Sequence, residues 1–242
     1  MMRLRLAFAL LAGCLAPAAA PAQTVAPACV RGAPPPDFTL DFAVTAARPP
    51  LRLNGSNRLD YSAADGRYTL RSVLDAGGLY SARQESSGNV DSAGWRPQRY
   101  EETTTRRGTS SASIDWTAQR VTFSGDEAPA DAPAGLQDRL SILLHLGREQ
   151  ARRPKTSGYD LPIVGPRHVS RYRIEVQGRE RIEVPYGRFE TVRLVRLRDD
   201  GDDRLEVWLA PALCWLPVQL RFVEARQTIE QRLSAARFTP PR

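Results

Sequence analysis

The chain has 242 residues, 42% of them hydrophobic and 25% charged, with 34 Lys and Arg against 27 Asp and Glu for a formal net charge of +7. That composition excludes a wholly disordered chain and supplies enough apolar material for one large core. Two histidines and three cysteines leave little for a Cys/His metal cage, and no apolar run reaches the ~18 residues a bilayer-spanning helix needs.

Residues 1–22 read as an export signal. Arg3 and Arg5 precede an apolar stretch from Leu6 to Leu15, and Ala20-Pro21-Ala22 has the small-residue pattern of a cleavage site, so the mature chain starts at Gln23. A second reading stays open. Leu11-Ala12-Gly13-Cys14 resembles a lipobox, in which case Cys14 carries lipid and the protein is an outer-membrane lipoprotein. Both readings take the chain out of the cytoplasm and into the periplasmic space. Cys29 and Cys214 then remain as an even pair in an oxidising compartment, either as a disulfide or as two separate thiols.

Residues 23–37 form an Ala/Pro-rich linker ending in Pro34-Pro35-Pro36, and one β-rich domain is expected over 38–238. Phe38 to Val44 alternates apolar and polar residues with period two, the mark of a half-buried strand. Leu51–Leu53 and Leu59–Tyr61 flank a turn candidate at Asn54-Gly55, with further turn signals at Asp65-Gly66 and Gly77-Gly78. Residues 87–95 read as a polar loop, 98–106 as an exposed charged strand, 114–116 and 121–123 as an alternating pair, and 124–134 as a loop. Leu136, Leu140, Leu143, Leu144 and Leu146 recur at helical spacing, which predicts a helix over about 135–152 stopped by Pro154. After it, alternation returns at 172–176, 182–184, 189–197, 205–209, 216–223 and 229–233, punctuated by Pro185-Tyr186-Gly187 and the Asp-rich run 199–203. Short strands at this spacing predict a mainly β fold: a large curved antiparallel sheet or open β-barrel with one α-helix packed against it.

All but one of the 34 basic residues are Arg; the exception is Lys155. They are interleaved with acids along the strands rather than gathered on one stripe, which argues for a salt-bridged surface and against nucleic acid as a partner.

The C-terminal third carries Val184-Pro-Tyr-Gly-Arg-Phe-Glu-Thr191, then Glu206-Val-Trp-Leu-Ala210, then Leu216-Pro-Val-Gln-Leu220. This succession resembles the bacterial exported family called domain of unknown function 3108, although Gln219 stands where that family more often has Arg. Asp138 to Ser141 resembles the family's helix start, and Gln84 to Gly88 its post-hairpin turn. The resemblance spans about residues 38–236 and implies an exported β-rich domain without an established activity, similar in outline to lipoprotein-carrier-type folds.

Candidate chemistry is sparse. Asp138, Ser141 and His145 have the residue types of a hydrolytic triad, but on one helix they do not converge on a substrate carbonyl, and no nucleophile elbow is present. Asp138 and Ser141 suit a helix start instead. The aspartates at 199, 200, 202 and 203 lack the spacing of a calcium loop, and His168 stands alone. Glu101 and Glu102 are adjacent on a strand and point to opposite faces. No cofactor is implied. The residues expected to line an apolar cavity are Phe42, Trp116, Leu140, Leu143, Leu144 and Trp208. The function expected is therefore an exported cell-envelope protein holding a hydrophobic or lipid-like ligand. The alternatives are a module binding envelope proteins and, third, a hydrolase.

Overall fold

The computed structural model describes residues 29–30, 33–78, 80–198, 201–224 and 227–239, with backbone alone at 197–198, 201–203 and 224. The expected signal segment 1–22, with Cys14, and part of the expected linker lie outside the described residues, as do Asp199 and Asp200. Among the described residues there are fifteen strands in one sheet and one α-helix.

The first half of the chain gives β1 (Phe38–Arg48), β2 (Leu51–Ala64), β3 (Arg67–Ala76), β4 (Tyr80–Asp91), β5 (Gly94–Thr104), β6 (Gly108–Asp115), β7 (Arg120–Phe123), β8 (Ala130–Asp131) and β9 (Gln137–Asp138). The helix α1 (Ser141–Arg152) follows, then β10 (Gly158–Val164), β11 (Val169–Val184), β12 (Gly187–Arg198), β13 (Gly201–Ala210), β14 (Leu216–Glu224) and β15 (Gln227–Phe238). Strands β1 to β8 follow one another in space, and so do β9 to β15. The two wings meet where β1 pairs antiparallel with β15, Phe38 opposite Phe238. Every pair is antiparallel except β9 with β10. The sheet is open: no ladder joins β8 to β9.

Period-two alternation decides which face is buried. In β1, Phe38, Leu40, Phe42 and Val44 are buried while the residues between them are partly or fully exposed. The same rule turns Leu59, Tyr61, Tyr68, Leu70, Tyr100, Leu194, Val207, Leu220 and Leu233 into one core with the leucines of α1. Each such fully buried side chain contributes roughly 1.5–3 kcal/mol relative to exposure. A smaller cluster of Ile114, Val121, Leu136 and Val164 ties β6 and β7 to β10. The sheet also curls back on itself. Gln137 Nε2 on β9 donates to the Trp95 carbonyl on β5 at 2.9 Å, and Asp138 on β9 reaches Ser86 on β4.

The arginines sit largely as the sequence predicts, in exposed cross-strand pairs such as Arg71–Glu85 at 2.7 Å and Arg188–Glu183 at 3.0 Å. Pairs of this kind contribute ~0–1 kcal/mol each. Glu206 differs: it is buried beneath Arg193, Arg204 and Arg221, at 3.1, 2.9 and 3.8 Å.

Several expected boundaries move. Asn54-Gly55 is no turn but the interior of β2, because Gly55 lets the Asp75 carbonyl approach where a Cβ would stand. Residues 87–91 continue β4 and 94–95 open β5 around a two-residue turn at Ser92-Ala93. Gly88 marks a bulge between Ser87 and Gly88, where a Cβ would meet the Arg96 carbonyl. The segments 172–176 and 182–184 are one long strand with an irregularity between Val176 and Gly178. The helix begins at Ser141, not 135, since residues 137–138 pair with β10 instead. The turns at Asp65-Gly66 and Gly77-Gly78 stand where expected, with all four residues at positive φ.

Candidate functional site

The helix is held at its start by a reciprocal box. Asp138 Oδ1 accepts the N–H groups of Leu140 and Ser141 at 2.8 and 2.7 Å, and Ser141 Oγ accepts the N–H of Asp138 at 2.9 Å. Ser86 Oγ donates to Asp138 Oδ2 at 2.5 Å and lies 2.8 Å from the Tyr68 hydroxyl. This cluster is fully buried, and burial pushes the Asp138 carboxyl up to about 6 against the lowering effect of Ser86 and the two N–H groups.

One turn on, His145 is mostly buried. Desolvation lowers its imidazole to about 4, with nearby Glu149 opposing and Arg148 and Arg153 reinforcing the shift. Further along, Arg148 and Glu149 pair at 2.8 Å, Arg148 also donates to the Ser92 carbonyl at 2.5 Å, and Arg153 closes on Glu149 at 2.6 Å. Gln150 accepts the Tyr159 hydroxyl at 2.7 Å. Ser141, Arg148, Glu149 and Gln150 are thus held by specific partners, whereas His145 Nδ1 is buried without a hydrogen-bond partner among the described residues.

Gly147 sits mid-helix for a steric reason: a Cβ there would meet the Trp215 carbonyl oxygen. Trp215 belongs to the crossing from β13 to β14. There a short 3₁₀ turn, Pro211–Leu213, is followed by Cys214 and Trp215, both left-handed at φ 53° and 61°. Non-glycine residues rarely take that conformation, so two in succession form a strained corner. Cys214 is bonded to Cys29, with Cα atoms 5.1 Å apart. The bond fastens the start of the N-terminal arm, described at Cys29, Val30 and Ala33 to Pro36, to this corner.

Between arm, helix and corner lies a hollow of about 680 Å³. Leu144, Gly147, Arg148 and Ala151 supply its helix wall, while Pro211, Cys214, Trp215 and Leu216 supply the corner wall. Cys29, Val30, Ala33 and the three prolines form the arm wall, with Trp95, Pro154 and Arg179 also lining it. The lining is chiefly apolar, and the Arg148 charge on it is matched by Glu149.

Of the six residues expected to line a cavity, the structure brings Leu144 alone to this hollow. Phe42, Leu140 and Leu143 fill the core beneath the helix. Trp208 alternates with Val207 and so turns to the other face of β13, where its Nε1 donates to Glu180 at 2.5 Å beside Arg193. Trp116 packs on the smaller cluster, donating to the Pro97 carbonyl at 2.6 Å beneath Arg96. Asp138 and Ser141 bond the backbone of the helix start. Glu101 pairs with Arg99 while Glu102 accepts from Tyr100 and Gln84, on opposite faces of β5. Among the described residues no cluster of three metal-ligating side chains occurs, and no helix is long and apolar enough to cross a membrane. Sequence reasoning missed Trp95, Ala151, Trp215 and the whole arm wall. The cysteine pair was the available signal.

The family described as Protein of unknown function (DUF3108) matches residues 39–234. No curated protein matches the sequence. Among solved structures, the chain is similar to a β-barrel-like protein of domain of unknown function DUF1849 from Brucella abortus. The TM-score is 0.58 at 10% identity, covering 85% of this chain and 98% of that one. A domain from Vibrio parahaemolyticus, provisionally described as an outer membrane lipoprotein-sorting protein, gives a TM-score of 0.29 at 11% identity, covering 84% and 85%. A DUF1329 family protein from Desulfovibrio piger gives 0.27 at 9%, covering 84% and 85%. The first likeness shows a shared fold; the other two superpose too loosely to carry an argument.

Proposed function

The chain belongs to the DUF3108 family, and from its own geometry we propose that it is an exported cell-envelope protein that encloses one apolar, lipid-like ligand in the hollow beside α1. Export is supported by the signal pattern of residues 1–22, and a disulfide persists in an oxidising space such as the periplasm. The carrying observation is the hollow itself. At about 680 Å³ it falls within the ~300–1,000 Å³ typical of small-molecule sites. Its walls are chiefly leucine, alanine, proline, valine and tryptophan; of its two arginines, the buried Arg148 is paired with Glu149 and Arg179 is exposed. Apolar area removed from water, rather than charge matching, is the driving force such a site offers.

Titration with a fluorescent long-chain fatty acid tests this. Saturable uptake at one site is expected, and Ala151→Trp, which puts an indole into the hollow, should weaken it at least about tenfold. The absence of saturable uptake, or uptake indifferent to Ala151→Trp, contradicts the proposal.

A further inference from the structure

The arm wall of the hollow belongs neither to the sheet nor to the helix. Pro34, Pro35 and Pro36 have no N–H to donate, so this stretch is poorly suited to join a sheet as a paired strand. Ala33 N–H turns inward to the Val30 carbonyl at 3.1 Å. The arm is anchored to the sheet at Asp37, whose Oδ1 accepts the Ala63 N–H and whose carbonyl accepts the Thr239 N–H, at 2.8 and 2.9 Å. Its other end is fastened covalently at Cys29. The strand pairing of β1 with β2 and β15 does not depend on that second fastening, because the ladders begin at Phe38.

The fastening is exposed at Cys29 and half-buried at Cys214, so an incoming thiolate reaches the Cys29 sulfur first. Cys214 also sits in the left-handed corner with Trp215.

We propose that the Cys29–Cys214 disulfide is a redox latch on the hollow: closed, it holds the arm over a bound ligand; reduced, it frees the arm and lets the ligand go. The inference rests on the reading of the hollow as a ligand site. The reductant is a dithiol. One of its thiolates attacks the Cys29 sulfur and Cys214 leaves as a thiolate. The second thiol then resolves the mixed disulfide. Two electrons pass to the protein, the reductant becomes a disulfide, and its two protons end on Cys29 and Cys214.

The test uses the oxidised chain, the chain treated with a dithiol, and Cys29→Ser, each checked for native far-UV circular dichroism. Two readouts are followed: dissociation of a fluorescent long-chain fatty acid, and quenching of tryptophan emission by acrylamide, which needs no ligand. Trp95 and Trp215 line the hollow, whereas Trp116 and Trp208 lie elsewhere and give a constant background. Reduction and Cys29→Ser should each speed probe release at least about tenfold and raise quenching. Equal release and equal quenching in all forms overturn the latch and leave the ligand site standing. Quenching that rises with no probe bound in any form keeps arm release and overturns the ligand reading. Neither binding nor a change in quenching overturns both.

Discussion

Replacing Asp138 by asparagine should unmask an acid dependence of stability that the native chain conceals. Asp138 and His145 lie within two turns of each other, and burial moves both, in opposite senses: the carboxyl up to about 6, the imidazole down to about 4. Between pH 4 and 6 the folded chain holds the Asp138 proton more tightly than the unfolded chain does. That contribution is complete below the ordinary carboxylate value and is lost as pH rises through about 6. His145 runs the other way. The unfolded imidazole takes its proton near 6.5 and the folded one only near 4, so its contribution is complete above 6.5 and is lost as pH falls through 4. At about 1.4 kcal/mol per unit, each amounts to roughly 2–3 kcal/mol between pH 7.5 and pH 4, with opposite signs. The carboxylate faces Ser86, Ser141 and Tyr68, and the imidazole faces Glu149, Arg148 and Arg153. The amide that Asp138→Asn introduces keeps an oxygen for the two N–H groups it must accept, so the helix start survives while the proton site is gone. Urea unfolding at pH 7.5 and pH 4 gives the comparison. Asp138→Asn should lose about 2–3 kcal/mol more on acidification than the native chain, and His145→Gln about 2–3 kcal/mol less. Parallel behaviour of Asp138→Asn and the native chain refutes the reasoning.

Two further substitutions probe packing around the site. Gly147→Ala places a methyl against the Trp215 carbonyl, so it should destabilise by about 1–3 kcal/mol in urea unfolding and shift Trp215 emission. Asn57 on β2 reaches across β1 to donate to Gln231 at 2.7 Å and accepts from Ser72 at 2.9 Å, all three being buried. Asn57→Ala should therefore cost about 1–3 kcal/mol by leaving both partners unpaired, read as a lower urea midpoint with unchanged m-value.

The sheet is legible in the sequence because one face of nearly every strand meets the core, and a period of two follows from that alone. Glycine is where the reading slips. A glycine that ends a strand and one that admits a neighbouring backbone look alike, so Gly55 and Gly88 read as loop residues while each serves close approach inside a strand. The helix start slips for a related reason. Leu136 and Leu140 continue the helical spacing, yet Leu136 serves the smaller cluster beside β9, and the Asp138–Ser141 box sets the first turn. The hollow is the least legible feature. Alternation within β13 separates Trp208 from Val207 but does not say which face the helix covers. The wall that completes the hollow comes from a proline-rich arm whose composition reads as linker. The pairing of Cys29 with Cys214 is what ties the start of the arm to the corner beside the helix.

Native mass spectrometry of the protein recovered from the periplasm tests the account most directly. It should show a chain lacking residues 1–22 and carrying one lipid-sized adduct, which dissociates when a dithiol is added. A full-length chain without adduct, unchanged by reduction, would contradict it.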